Sequence, residues 1–147
     1  MKSLSGFLML SSFERIRLIR LLAYIIRAEA VLSFLPYSVT RKLVFISKTP
    51  RRGCPSEPLD ILYCHLRLLV KITRNTPWSI TCLRQAVALR DALAADGVES
   101  QIKIGLLQHQ EAFEAHAWLE CCGLEILKNG EYSELSAIKG GCGENVR

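Results

Sequence analysis

Apolar residues recur at helical spacing in the first third of the chain, from position 16 to position 32. Ser11 or Ser12 can cap this helix, and Ser11 with Glu14 matches the spacing of a capping box. Pro36 ends the run, because proline cannot continue a helix. The pattern therefore predicts one long N-terminal helix that stops just before Pro36.

Three further helices follow from the same periodicity. They are predicted over 38–47, over 59–72 and over 82–94. Thr81 is a suitable N-cap for the last of them, and Asp96–Gly97 a suitable end, since glycine tolerates left-handed geometry.

The period then changes to two. Apolar and polar residues alternate over 101–106, and a second strand is predicted over 113–121. Cys122–Gly123 can form a two-residue turn into a third strand over 124–127. Helices followed by antiparallel strands indicate an α+β fold, not a repeating βαβ one.

A proline-rich stretch over 48–58 is the best candidate boundary in the chain, with three prolines and a glycine. It predicts a helical region over 1–53 and a core domain over 54–147. The first part has ten Lys and Arg against two acidic residues, a net charge of +8. The second has nine against twelve, a net charge of −3.

The basic N-terminal helix is too charged to span a bilayer, because four arginines and a glutamate interrupt its apolar residues. Packing on its own domain is the favoured interpretation, and peripheral contact with a membrane is the alternative. No motif for nucleic-acid binding is present. The start of the chain has no convincing secretory signal, so we expect a cytoplasmic protein.

Six cysteines are present, and the expected cytoplasmic location favours reduced thiols over a disulfide framework. No Cys-x-x-Cys pair occurs, and Cys121 and Cys122, if both lie on a strand, point to opposite faces. We therefore expect no metal site and no cofactor.

The most informative residues are Cys82, at a predicted helix start, and His116, on a predicted strand. Unpaired N–H groups and the helix dipole stabilise a thiolate at such a position. An imidazole beside it can take the thiol proton and later protonate a leaving group. This pair predicts acyl chemistry with a cysteine nucleophile.

The predicted hairpin offers a third group. If Cys122–Gly123 is the turn, His116 lies opposite Asn129 on the same face. Asn129 can then accept a hydrogen bond from one imidazole nitrogen and aim the other at Cys82. The alternative is that Asn129 belongs only to another turn. Glu125 is the second candidate, and we expect Asn129→Ala to slow the reaction more than Glu125→Ala.

Two segments of the chain resemble a known family. The segments are Pro77-Trp-Ser-Ile-Thr-Cys82-Leu-Arg-Gln-Ala86 and Phe113-Glu-Ala-His116-Ala-Trp118-Leu-Glu120. They look like the transglutaminase-like leader peptidases of lasso-peptide biosynthesis, which are cysteine proteases. The resemblance implies a transglutaminase-like or papain-like core, with a catalytic helix packed on a small antiparallel sheet.

The resemblance also implies roles and partners. Cys82 would be the nucleophile, His116 the general base and acid, and Trp78 and Trp118 would contact substrate. The substrate would be a lasso precursor peptide, the partners a separate leader-binding protein and the lasso cyclase. The family usually carries an Asp twelve residues after the histidine, where this chain has Lys128. An ammonium cannot accept the imidazole N–H, which leaves the third role open.

Other functions remain on the same residues. A thioester on Cys82 can be resolved by an amine in place of water, which gives a transglutaminase-type acyl transferase. Lys128 favours a different alternative, a leader-binding adaptor with little or no catalytic activity.

Overall fold

The computed structural model of the protein describes residues 11–45, 55–109, 112–128 and 133–134. Within them it has four helices, α1 (Ser12–Phe34), α2 (Tyr37–Phe45), α3 (Pro58–Asn75) and α4 (Cys82–Ala95). Four strands follow α4, namely β1 (Gln101–His109), β2 (Ala112–Cys121), β3 (Leu124–Ile126) and β4 (Ser133–Glu134). The predicted α+β order, helices first and antiparallel strands afterwards, is confirmed.

The N-terminal helix begins as its sequence predicts. Ser11 is the N-cap of α1, its hydroxyl accepts a hydrogen bond from the Glu14 amide, and the Glu14 carboxylate accepts one from the Ser11 amide. This reciprocal pair satisfies two N–H groups that a helix start leaves without partners. The helix ends at Phe34, two residues before Pro36.

The later helices also form near their predicted positions. Helix α2 starts one residue earlier than expected, and residues 46–47 of its predicted range lie outside the described residues. Helix α3 runs three residues further than expected, to Asn75. Gly97 has a φ of 90° just after α4, and the Val98 amide donates to the Leu93 carbonyl, which closes the helix end.

The strands form one antiparallel sheet in the order β3-β2-β1-β4. Cys122 and Gly123 have φ angles of 54° and 75°, the two positive values of a type I′ turn. The turn fixes the predicted register, in which Glu120 pairs with Glu125 and Leu119 with Ile126. Strand β1 is longer than expected and pairs with β2 along its whole length.

One apolar cluster holds the helices and the sheet together. Strand residues Ile102, Leu119 and Cys121 share it with residues from the helices, including Leu21, Ile25, Leu62, Leu69, Leu89 and Leu93. Leu21 and Ile25 come from α1 and are fully buried. The basic N-terminal helix therefore packs in the same core as α4 and the sheet.

Buried charges tie the helices to each other. Arg90 and Asp91, both on α4, form an ion pair at 3.0 Å, and Asp91 also faces Arg27 of α1. The Arg90 guanidinium also donates to the Val44 carbonyl of α2. Charges this deep are stable only when their partners are fixed, so these contacts specify how the three helices meet. In the part of the chain that is described, no helix is both long and apolar enough to cross a membrane.

A second polar cluster lies where α4 ends. His65 of α3 is 2% exposed and donates from Nε2 to Asp96 at 3.0 Å. Burial lowers the pKa of the His65 imidazole, although the bond to Asp96 acts in the opposite direction. Burial alone would raise the pKa of Asp96, but the bond from His65 and the charges of Arg17 and Arg20 lower it.

His65 should therefore make the fold sensitive to mild acid. The unfolded chain binds a proton at His65 near pH 6.5, while the folded chain binds it only at lower pH, so stability falls as the pH drops through this range. We expect the melting temperature to fall between about pH 7 and pH 5, and His65→Gln to make that fall smaller. An equal fall in His65→Gln would show that another group is responsible.

Candidate functional site

Cys82 is the first residue of α4, as the sequence predicts, and its side chain is half-buried. Thr81 is the N-cap residue, but its side chain makes no capping hydrogen bond. The prediction that Thr81 is the N-cap of this helix is therefore confirmed, without a capping bond from the side chain. The Thr81 hydroxyl instead accepts a hydrogen bond from the Arg84 guanidinium at 3.3 Å. The helix start keeps its N–H donors available beside the thiol.

Arg84 is a residue that the sequence reasoning missed. It forms an ion pair with Glu29 at 2.7 Å and donates to the Ser33 hydroxyl at 3.3 Å, which fixes the first turn of α4 to α1. A cation in the first turn of a helix interacts unfavourably with the positive end of the helix dipole. An arginine at this position therefore indicates that an acidic partner stabilises its charge. Its positive charge also lies two residues from Cys82.

The segment that leads into α4 is held by Gln85. Its side chain donates to the Ile80 carbonyl at 2.6 Å, and its amide donates to the Thr81 carbonyl at 3.0 Å. Trp78 lies in this segment and is 46% exposed, so its ring offers apolar surface close to Cys82 in the chain.

His116 lies on β2 and is half-buried. The alternate residues Ala117, Leu119 and Cys121 are buried on the core side, and His116, Trp118 and Glu120 share the other face. Trp118 on this second face is 1% exposed, so the face is partly covered, and the His116 imidazole keeps only partial access to solvent.

Chain direction relates His116 to Cys82. Residues 96–100 connect α4 to β1, and the two elements pack on each other, so they run in opposite directions. Gly105, the fifth of the nine residues of β1, pairs with His116, so His116 lies away from the Ala95 end of α4, which is the end that leads into β1.

A main-chain group contacts the imidazole. His116 Nε2 lies 2.6 Å from the Leu127 carbonyl oxygen. Leu127 follows directly after β3 and has a φ of 69°, a left-handed conformation that is uncommon for a leucine. The predicted third strand thus ends one residue early, at Ile126.

Lys128 occupies the position of the expected acidic residue and makes other contacts. Its ammonium donates to both Glu125 carboxylate oxygens, at 2.9 and 2.8 Å, and lies 5.0 Å from the centre of the Trp118 ring. Glu125, the second candidate for the third role, is thus paired with Lys128. Trp118 is 1% exposed, and its role in substrate binding stays a prediction.

Asn129, the first candidate for the third role, lies outside the described residues, and its role stays a prediction.

The sheet adds another acidic residue. Gly105 pairs with His116 on one side and with Glu134 on the other, so these three positions form one row across β2, β1 and β4. A glycine inside a strand often marks a position where another group approaches the backbone closely. The sequence pattern alone, however, did not predict that β4 pairs with β1.

The other cysteines bear on metal binding. Cys122 lies in the predicted turn with a positive φ, and its sulfur atom is 3.7 Å from that of Cys121. Burial, together with the neighbouring Cys122 thiol, raises the pKa of Cys121 to about 12. Cys64, Cys82, Cys121 and Cys122 are free thiols. Within the described ranges, no group of His, Cys, Asp and Glu is arranged to hold a metal ion.

Comparison with known proteins gives one match. A family model described as the transglutaminase-like superfamily matches residues 36–138, a segment that covers more than half of the chain and includes Cys82 and His116. No curated protein and no solved structure matches the chain.

Proposed function

Because the chain belongs to the transglutaminase-like superfamily, we propose that it is a cysteine peptidase that removes the leader from a lasso-peptide precursor. The observation that carries the proposal is Cys82 at a helix start without a side-chain cap, on a helix that packs against the strand carrying His116. The choice of leader peptidase within the superfamily rests on the resemblance around Cys82 and His116.

In the proposed reaction, His116 takes the proton of the Cys82 thiol, and the sulfur attacks the scissile carbonyl carbon. The C–N bond breaks, His116 gives the proton to the leaving amine, and a thioester remains on Cys82. A water molecule then loses a proton to His116 and attacks the thioester. The products are a carboxylate and the free thiol, so no cofactor or oxidant takes part.

The helix start contributes to both steps. Negative charge develops on the carbonyl oxygen of the substrate when sulfur attacks it, and the Cys82 amide is a donor suited to stabilise that charge. Arg84 holds the first turn of α4 against α1 through its ion pair with Glu29. Trp78, exposed in the preceding segment, is proposed to pack against the substrate peptide.

The partners follow from the same proposal. A separate leader-binding protein would present the precursor, and the lasso cyclase would close the ring after cleavage. The basic character of residues 1–53 suits a docking surface for acidic parts of the partner or leader, and Arg27 of α1 is more than half exposed. We propose that these steps take place in the cytoplasm, with peripheral membrane contact as a further use of this surface.

Mass spectrometry of a lasso-type precursor, incubated with the protein and with or without a leader-binding partner, tests the function. Release of the leader, with product masses that add up to the mass of the precursor plus one water, supports the peptidase function. Incorporation of an added amine would assign a transferase instead. An unchanged precursor that still binds the protein would assign the adaptor role that Lys128 favours.

The coupling between the two catalytic residues can be measured without a substrate. We expect His116→Gln to slow alkylation of Cys82 by iodoacetamide roughly tenfold near neutral pH, because the imidazole no longer takes the thiol proton. Cys64, a half-buried thiol on α3, is an internal control and should react equally in both proteins. Equal rates at Cys82 would mean that the thiol and the imidazole do not act as a pair.

A further inference from the structure

We propose that the main-chain carbonyl of Leu127 orients His116, in the role that the family gives to an acidic side chain; this inference rests on the proposed function. A carbonyl oxygen only accepts hydrogen bonds, and it lies 2.6 Å from His116 Nε2. Nε2 therefore carries the hydrogen in the neutral ring, and Nδ1 keeps the lone pair that can take a proton from Cys82.

The backbone at Leu127 explains how a carbonyl reaches this position. If β3 continued through residue 127, the carbonyl of that residue would point sideways in the plane of the sheet. Leu127 instead has a φ of 69° and leaves the strand. Left-handed geometry costs a leucine about 1–2 kcal/mol, so other contacts must hold it in place. One of them is the Leu127 side chain itself, which packs against the apolar core.

Lys128 supplies the second support. Its ammonium is held by both oxygens of Glu125 on β3 and lies over the ring of Trp118 on β2. These contacts fix the residue that follows the Leu127 carbonyl to two strands of the sheet. Lys128 cannot orient the His116 imidazole with its own side chain. Its contacts instead hold the neighbouring Leu127 carbonyl, which can orient the imidazole.

The tautomer of His116 is the direct test. In protein labelled with ¹⁵N-histidine and assigned with His116→Gln, long-range ¹H–¹⁵N spectra above the titration range of the ring should show hydrogen on Nε2 and a lone pair on Nδ1. Hydrogen on Nδ1, or an equal mixture, would overturn the proposal. The measurement requires no cleavage, so its result does not depend on whether the proposed peptidase function is correct.

Side-chain variants separate this carbonyl from its competitors. Asn129→Ala and Glu134→Gln should both keep the Nε2–H tautomer, and a switch of tautomer in either variant would transfer the role to that side chain. Lys128→Met removes a support of the Leu127 carbonyl, so we expect it to weaken this hydrogen bond and to move the Nε2–H proton signal upfield. An unchanged signal in Lys128→Met would show that Lys128 does not hold the carbonyl.

A backbone change tests the catalytic consequence. An ester in place of the amide between Leu127 and Lys128, introduced by semisynthesis, makes the Leu127 carbonyl a weaker acceptor. We expect kcat for leader release to fall about fivefold with KM unchanged, and the Nε2–H proton signal to move upfield. An ester between Cys122 and Gly123 is the matched control. Equal kcat in both esters would contradict the positioning role.

Discussion

Cys82→Ala is expected to lower kcat/KM for leader release by at least about 10³-fold, because no thioester can then form. The loss should appear in kcat, since the thiol acts on the reacting carbon and contributes little to holding the rest of a long peptide. Single-turnover mass spectrometry of the precursor, with enzyme in excess, measures the effect and also reveals a covalent intermediate in the native enzyme.

Cys64→Ala provides the matched control, because Cys64 is another half-buried free thiol in the same fold. We expect it to cleave at a rate close to that of the native chain. Both variants should keep the native melting temperature within a few degrees. Undiminished cleavage by Cys82→Ala would exclude the proposed nucleophile, and equal loss in Cys64→Ala would indicate a general effect of losing thiols.

The elements could be predicted well where local chemistry determines them. Ser11 and Glu14 start α1 through contacts three residues apart, and Pro36 limits its end. The hairpin register was also predictable, because a two-residue turn at Cys122–Gly123 and a period of two leave one pairing of β2 with β3. Each of these inferences depends on neighbours in the sequence.

The candidate site shows where such reasoning stops. The Thr81 hydroxyl bonds to Arg84 because Glu29 and Ser33, more than fifty residues earlier, hold that guanidinium in place. No local pattern contains this information. Likewise, propensity argues against a left-handed leucine, so the conformation of Leu127 follows from its packing and from its neighbour Lys128.

The row of His116, Gly105 and Glu134 has a similar origin. It depends on β4 pairing with the edge of β1 that faces away from β2. The two-residue turn at Cys122–Gly123 determines how β2 pairs with β3, but the six residues between β3 and β4 do not determine where β4 pairs. Glu134 was therefore absent from the candidates that the sequence produced.

Ile25→Ala is the second change with a large expected effect, because Ile25 carries the packing of the N-terminal helix. Ile25 is 0% exposed and lies in the same apolar cluster as Leu89 and Leu93 of α4. Truncation of a buried isoleucine costs about 2–5 kcal/mol of the free energy of unfolding. Urea denaturation followed by circular dichroism measures this loss as a lower midpoint.

Ile26→Ala is the matched control, since Ile26 is the next residue on the same helix and is 55% exposed. Its cost should stay within about 0.5 kcal/mol. The number of transitions in the urea denaturation curve tests whether residues 1–53 form a separate folding unit. If α1 belongs to the catalytic fold, Ile25→Ala will unfold in one step and lose the site together with the helix. Two transitions, with residues 54–147 unfolding at the native midpoint, would instead show that the core domain folds without its basic front.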